Sequence, residues 1–467
     1  MHPTIRRVLP IFLGFGLACA SARHAPGPAS PAAPTAAPPP LPARGGAVAP
    51  EPSPASAVRT VARMTLAAVG DVLMHEAVKR SAASHGRGAP DAGFSWLFAP
   101  VADLLAAADV TFANLETPIA PEAAAGTREY VFNAPPEVVS ALLRAGVDTV
   151  SVANNHAFDQ GRPGFEETLR RLQTAGLRAI GAGPSERPAG PLLVDASGIR
   201  IAFLGFAHFF NQDGNACPPA RRGAAPCVQV ATLDPERAVA AVAAAAAVAD
   251  AVVVSLHWGV EYAQQPRAAD VELAHRLADA GALVVLGHHP HVLQPIELYR
   301  RADGRTAVIA YSLGNFVSNQ SRKYVHGVTP DHVAATRDGA LLRVALARRD
   351  YGRGVVRVEV DGADFLPLWT DNDTAEIDTR ARPRRLPAIR VVAIDRALAA
   401  VRAEIAGLPD PVPAEARDRF AALRAREALL VSRRAAIAGV LGEDLLRPLS
   451  PAELAPARPE VTPAAGR

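Results

Sequence analysis

The chain has 467 residues, with 49 Lys+Arg against 46 Asp+Glu, a formal net charge of +3 and only 5% aromatic residues. That balance supplies no global basic field for nucleic acid. The length allows one large domain with tails or two domains, and a sizeable aliphatic core rich in Ala, Val and Leu.

Residues 1–20 read as an export signal. Arg6 and Arg7 form a basic start, and Val8 to Ala18 is an apolar run short for a bilayer span. The run ends in Gly16-Leu17-Ala18-Cys19, small residues before a Cys that resemble a bacterial lipoprotein cleavage box, with Gly16 where the usual residue is aliphatic. Lipidation at Cys19 and ordinary cleavage after Ala20 both remain open. Residues 21–62 form a Pro/Ala-rich linker without apolar periodicity, a disordered tether.

From Met64 the pattern changes. Met64–Val69, Val110–Ala113, Val147–Val152, Ile199–Phe206, Ala251–Leu256, Ala282–Leu286 and Ala307–Tyr311 are short apolar runs that predict buried strands. Phe98–Ala108, Pro136–Ala145, Gly164–Ala175, Pro235–Ala249 and Ala268–Ala280 predict helices between them. The alternation argues for an α/β domain over 63–370. Leu341–Ala347 and Gly354–Val360 predict a closing hairpin, with Phe365–Trp369 a candidate further strand. Residues 371–467 read as a helical extension, with Val391–Ile405 and Ala414–Leu441 its amphipathic parts. Cys217 and Cys227 flank a short Pro/Gly-rich loop and predict a local disulfide in an exported chain.

Six polar clusters sit at the ends of the predicted strands: Gly70-Asp71, Asn114-Leu115-Glu116, Asn154-Asn155-His156, His257-Trp258-Gly259, Gly287-His288-His289-Pro290-His291 and Gly314-Asn315-Phe316. Carboxylate, carboxamide and imidazole are ligands for hard and borderline divalent metals. Strand ends are where an open α/β sheet builds its site. Taken singly, each has a plainer reading: a turn Asp at 71, an edge-strand ion pair at Glu116, a satisfied core imidazole at His257. In order along one region they predict a centre for one or two divalent cations. Asn114 and Glu116 share one face of an extended segment. His289 and His291 flank Pro290, which fixes one backbone angle between them. His2, His24, His85, His208, His275, His326 and His332 are read as non-ligands, and His75 is left open.

The ordered set Gly-Asp, Asn-Leu-Glu, Asn-Asn-His-x-x-Asp-x-Gly, His-Trp-Gly, Gly-His-His-Pro-His-Val and Ser-x-Gly-Asn-Phe resembles the capsule-synthesis protein CapA family over about Met64 to Trp369. That family is associated with poly-γ-glutamate capsules and is similar to calcineurin-like metallophosphoesterases. The resemblance implies a four-layer αββα sandwich. It implies that Asp71 and His291 hold one metal, that Asn155, His257 and His289 hold the other, and that Glu116 bridges. His156 becomes the general acid or a transition-state contact. Asn114, Asn154 and Asp159 support the ligands, and Ser312 and Asn315 border the pocket. Two departures stand out. The phosphoesterase His two residues after the first Asp is Leu73 here, so the first metal is one ligand poorer unless His75 reaches in. The bridging Gly-Asp is Asn-Leu-Glu.

Two functions follow as expectations. One is a metal-dependent hydrolase of the bacterial cell envelope. The other is a non-catalytic partner that binds an anionic capsular polymer beside a membrane synthetase or export complex, held to the membrane by its lipid anchor. Nucleic acid is not an expected partner.

Overall fold

The computed structural model describes residues 58–122, 130–218, 227–377 and 385–455. The signal segment, Cys19 and the linker up to residue 57 lie outside them. The apolar runs become strands because β-branched and aliphatic residues pack well on a pleated surface.

In chain order the first half holds β1 (Arg59–Val72), α1 (Glu76–His85), α2 (Ser95–Phe98), α3 (Ala102–Ala106), β2 (Val110–Leu115), α4 (Glu137–Arg144), β3 (Thr149–Ser151), α5 (Gly161–Ala175), β4 (Arg178–Ile180), β5 (Ala182–Pro184), β6 (Leu192–Ala196) and β7 (Ile199–Ala207). The second half holds β8 (Val228–Val230), α6 (Pro235–Ala246), β9 (Ala251–His257), α7 (Ala268–Ala280), β10 (Val284–His288), β11 (Leu293–Arg300), β12 (Thr306–Leu313) and β13 (Asn315–Val317). It closes with β14 (Asp338–Asp350), β15 (Val356–Asn372), β16 (Ile389–Ala393), α8 (Ile394–Ala406) and α9 (Arg417–Leu441).

The protein is a mixed α/β fold. One sheet runs β16-β15-β14-β1-β2-β3-β4, with β13 added parallel to β1. Its β1 to β4 side is parallel and its β14 to β16 side antiparallel. The other runs β11-β12-β10-β9-β7-β6, parallel at its centre and antiparallel at both edges. β5 and β8 pair separately.

Strand periodicity explains the layering. Along β12, Val308 and Ala310 join an apolar cluster containing Leu66, Phe112 and Val344 of the larger sheet. The intervening Ile309 and Tyr311 join α6 and α7 residues such as Val242 and Leu277. Alternate side chains point to opposite faces, so both faces of the smaller sheet are covered. Phe112 and Phe203 stack across the sheet–sheet interface at 6.4 Å. The other face of the larger sheet packs on α1 to α5 through residues such as Leu97, Leu105, Leu142 and Phe165.

Several elements differ from the sequence expectation. β1 begins at Arg59, not Met64, because 59–63 pair with β14 although they point partly to solvent. The helix predicted over Phe98–Ala108 is two short helices, interrupted at Pro100, which has no N–H to donate. Gly354–Val360 and Phe365–Trp369 are one strand, β15, carried across a register shift opposite Ala345/Leu346. Residues 389–393 are not helical: β16 extends the sheet beside β15, and the helix begins at Ile394. The edge strands β6 and β11 carry exposed polar positions and lacked a continuous apolar run.

The C-terminal helices pack on the sheet. Leu398, Leu430 and Ile437 share a cluster with Phe365 and Trp369. Arg433 donates through Nε (3.0 Å) and Nη2 (2.5 Å) to the buried Asp338 carboxylate. Arg337 lies over the Trp369 ring at 4.2 Å and donates to the Thr370 carbonyl at 2.9 Å. Among the described residues no helix is long and apolar enough to cross a membrane.

Candidate metal centre

The parallel strands of both sheets deliver their C-terminal ends to one place, and the polar clusters begin where the apolar runs stop. Asp71 lies near the end of β1, Asn114 and Glu116 at the end of β2, and Asn155 and His156 just beyond β3. His257 ends β9, and His288 to His291 follow from β10. Two glycines permit the convergence. A Cβ on Gly70 would meet the Gly314 carbonyl oxygen at 2.0 Å, and one on Gly287 would meet the Tyr311 carbonyl oxygen at 1.9 Å. Any side chain there would push neighbouring strands apart.

Asn114 is the hub. Its Nδ2 donates to Asp71 Oδ1 (2.8 Å) and to Glu116 Oε2 (3.2 Å). Asn154 donates to the Leu115 carbonyl (2.9 Å) and to Asn114 Oδ1 (3.3 Å), fixing the carboxamide's orientation. Around it, Asp71 Oδ2 sits 3.1 Å from His291 Nδ1, and Asn155 Oδ1 sits 2.8 Å from His257 Nε2. Glu116 Oε1 lies 3.5 Å from His257 Nε2 and 3.9 Å from His291 Nε2. Two triads result, Asp71–Glu116–His291 and Glu116–His257–His289, each with ligand atoms within 4.8 Å of one another and every member buried. Glu116 is common to both.

The backbone at this point is strained. His289 has φ 96 and His291 φ 59. Non-glycine residues in the left-handed region cost about 1–3 kcal/mol each and persist only where the surroundings over-determine them. Here the surroundings do so. The Tyr262 N–H donates to the Pro290 carbonyl at 2.8 Å, and the Trp258 N–H donates to the His288 carbonyl at 3.1 Å.

The donor set fits a cation. Glu116 Oε1 and His289 Nδ1 are buried without a hydrogen-bond partner among the described residues. Burial and the adjacent Asp71 charge push the Glu116 carboxyl well above its ordinary value. Burial also raises Asp71, but the close approach of His288 Nδ1 (3.3 Å) and His291 Nδ1 (3.1 Å) prevails and holds it well below the usual range. Burial and the neighbouring imidazoles lower His257, and they lower His289 to about 4. The lowered His257 and His289 favour neutral imidazoles with the free lone pairs that metal binding requires, and a bound cation would favour loss of the proton that burial favours on Glu116.

His156 stands beside the triads. Its Nδ1 is 2.8 Å from Asp159 Oδ2, which also accepts the Phe132 N–H at 2.6 Å. Asp159, an acceptor, takes a hydrogen bond from Nδ1–H, and Nε2 lies 3.4 Å from Asn211 Nδ2. Phe132 packs on the His156 ring with centroids 4.5 Å apart. A solvent-open cleft of about 1240 Å³ leads away from this point, lined by His75, His156, Tyr262, His291, Arg322 and Lys323 among others.

The remaining expected residues divide. His75 lines the cleft but belongs to neither triad. It accepts the Asn319 N–H at Nδ1 (3.3 Å), and burial and the charge of His291 lower its pKa to about 4. Ser312 and Asn315 are buried behind the ligands instead of bordering the cleft. Ser312 Oγ accepts the Gly314 N–H (3.2 Å), and Asn315 donates to the Thr336 carbonyl (2.8 Å). Cys217 and Cys227 are joined, with Cα atoms 5.9 Å apart. Sequence reasoning missed Asn211, which accepts from Asn155 Nδ2 at 3.3 Å, because its loop carries no periodic signal. It also passed over His288, visible in the Gly-His-His-Pro-His run, whose Nδ1 lies 3.3 Å from Asp71 Oδ1.

An α/β fold with acidic and imidazole groups gathered at the strand ends is thus the class of protein at hand. The family described as bacterial capsule synthesis protein PGA_cap matches residues 65–320, and the chain belongs to it. Its relatives include the PGA biosynthesis protein CapA of Bacillus subtilis (strain 168), 32% identical over 309 residues, 65% of this chain and 73% of that one. The capsule biosynthesis protein CapA of Bacillus anthracis is 31% identical over 307 residues, 63% of this chain and 66% of that one. A Mycobacterium tuberculosis (strain CDC 1551 / Oshkosh) protein, named as a probable polyglutamine synthesis accessory protein, is 34% identical over 201 residues, 42% of this chain and 53% of that one.

Proposed function

We propose that this is a cell-envelope protein of poly-γ-glutamate-like capsule synthesis or export, with a hydrolase-type site for two divalent cations. The observation that carries the metal reading is Glu116, shared by both triads with one buried oxygen left unpartnered. Asp71, His291 and Glu116 would hold one cation, and Asn155, His257, His289 and Glu116 the other. When bound, the cations would polarise an ester or amide and lower the pKa of bound water. His156, its Nδ1–H hydrogen-bonded to Asp159, would act with a second proton on Nε2, give that proton to the leaving group and return to the neutral imidazole. Asn211 and Phe132 would hold that ring in place. The three apolar clusters support the four-layer αββα arrangement of the metallophosphoesterases.

The polymer assignment draws on the relatives' names and on the cleft. Arg322 and Lys323 line it, and neither has an ion-pair partner among the described residues. Unpaired cations beside a metal centre suit a polyanion. They equally favour the second reading, a non-catalytic partner that holds the polymer beside a membrane synthetase. Anchoring through a lipidated Cys19 belongs to both readings, and Cys19→Ser should release the protein from membranes.

The deciding experiment loads purified protein with Mn²⁺ or Zn²⁺ and assays phosphoester, peptide and γ-glutamyl substrates. His289→Ala should lower bound metal and turnover together. His156→Ala should keep the metal and slow turnover by about 10²–10⁴-fold. Metal and polymer binding without cleavage of any substrate would select the second reading.

A further inference from the structure

The loop after β9 reads Trp258-Gly259-Val260-Glu261-Tyr262-Ala263, and it is held in one place. Gly259 takes φ 84 and Tyr262 takes φ 63. A tyrosine in the left-handed region is strained and needs external support. The Tyr262 N–H donates to the Pro290 carbonyl (2.8 Å), and the Ala263 N–H donates to the Val260 carbonyl (3.2 Å). Gln294 Nε2 donates to the Ala263 carbonyl at 2.7 Å. Because Pro290 separates His289 from His291, the loop is tied directly to the turn that carries both imidazoles.

Glu261 sits in this loop. Its side chain is exposed and makes no hydrogen bond or ion pair with a described residue, yet a carboxylate oxygen lies within 4.8 Å of imidazole nitrogens of both His289 and His291. An exposed Glu is ordinarily a solvated surface charge. This one faces two buried imidazoles from a strained loop tied to their own turn. Glu116 already supplies a buried carboxylate to the same two imidazoles' sets. The triads are also unequal: Asp71, Glu116 and His291 give three ligands, whereas Asn155 brings the other set to four. Leu73, an apolar side chain, adds nothing to the poorer set.

We propose that Glu261 is a further metal ligand, which closes the Asp71–Glu116–His291 set from the solvent side. This rests on the two-cation reading above. A carboxylate oxygen is a ligand that hard and borderline divalent cations accept. As the exposed member, Glu261 is also the ligand that an entering anion would meet first in the cleft.

The test strips the full chain with a chelator and titrates it with Mn²⁺ by calorimetry and electron paramagnetic resonance. Wild type should take up two cations. Glu261→Gln should weaken one of them by at least about ten-fold and leave the other unchanged, while Glu261→Asp recovers part of the loss. The metal-free unfolding midpoint should stay constant, because the side chain is exposed. Unchanged number and affinity in Glu261→Gln would overturn this inference alone. A wild-type protein that binds no Mn²⁺ or Zn²⁺ would overturn the two-cation reading and this inference together.

Discussion

Two buried polar clusters in this protein are built on opposite rules. Around Trp369 the charged groups are paired, although the indole Nε1 has no partner among the described residues: Arg433 spans Asp338 with two hydrogen bonds, and Arg337 stacks on the indole and donates to a carbonyl. Around Glu116 they do not. Glu116 Oε1 and His289 Nδ1 lack partners, two imidazoles sit on left-handed backbone, and carboxylates crowd each other. A closed polar cluster ties the C-terminal helix to the sheet. An open one costs stability and leaves donor atoms free for the proposed cations.

The contrast breaks first at Arg433. Arg433→Ala leaves Asp338 buried and unpaired, so urea unfolding should show a loss of about 3–5 kcal/mol, whereas Arg433→Met with Asp338→Leu should come within about 1 kcal/mol of wild type. An equal loss in both would mean that the pair is not the closed unit described. Next comes the metal. Mn²⁺ at a hundred times its Kd should stabilise the chelator-stripped protein by about 2.7 kcal/mol per site, and His289→Ala should abolish most of the gain from its own site. No shift in wild type would remove the open cluster's purpose.

Acid should act on the open cluster. Folded, His289 titrates at about 4 against an ordinary 6.5, so the unfolded chain takes up the proton first. This contribution to metal-free stability is complete above pH 6.5 and is lost as pH falls toward about 4, by at most about 1.4 kcal/mol per pH unit. His289→Gln should flatten that slope, and an unaltered slope would locate the titration elsewhere. The smallest effect is the most pointed. Glu116→Gln relieves a buried carboxylate facing Asp71, so the metal-free variant should be more stable than wild type by about 1 kcal/mol while losing cation affinity. A destabilised variant would place Glu116 with the closed cluster.

Much of this contrast was readable beforehand, though unevenly. The buried parallel strands β7, β9, β10 and β12 announced themselves as continuous apolar runs, and their polar stops marked the ligands. β16 did not, because Val391, Val392 and Ala393 run straight into a helical pattern, and only the free edge of β15 decides their conformation. Asp71 and His291, 220 residues apart in sequence, could be assigned to one centre only through the motif order, since no local pattern records that approach. Asn211 and Glu261 stayed hidden for the same reason: each lies in a loop whose position is set by distant backbone partners. Nothing in the sequence singled out Arg433, because pairing with Asp338 depends on how that helix docks.

The strand contacts at Gly70 and Gly287 carry a consequence for anyone redesigning this protein. In a saturation mutagenesis map scored on function, these two positions should look as intolerant as the ligands themselves, with even alanine rejected, because a methyl group would overlap a carbonyl of the adjoining strand at 2.0 and 1.9 Å. Neither offers a side-chain donor atom. Ranking positions by their mutational sensitivity would therefore place two spacers among the candidate site residues, and only a stability readout run in parallel would separate residues needed for function from those that merely let the strands meet.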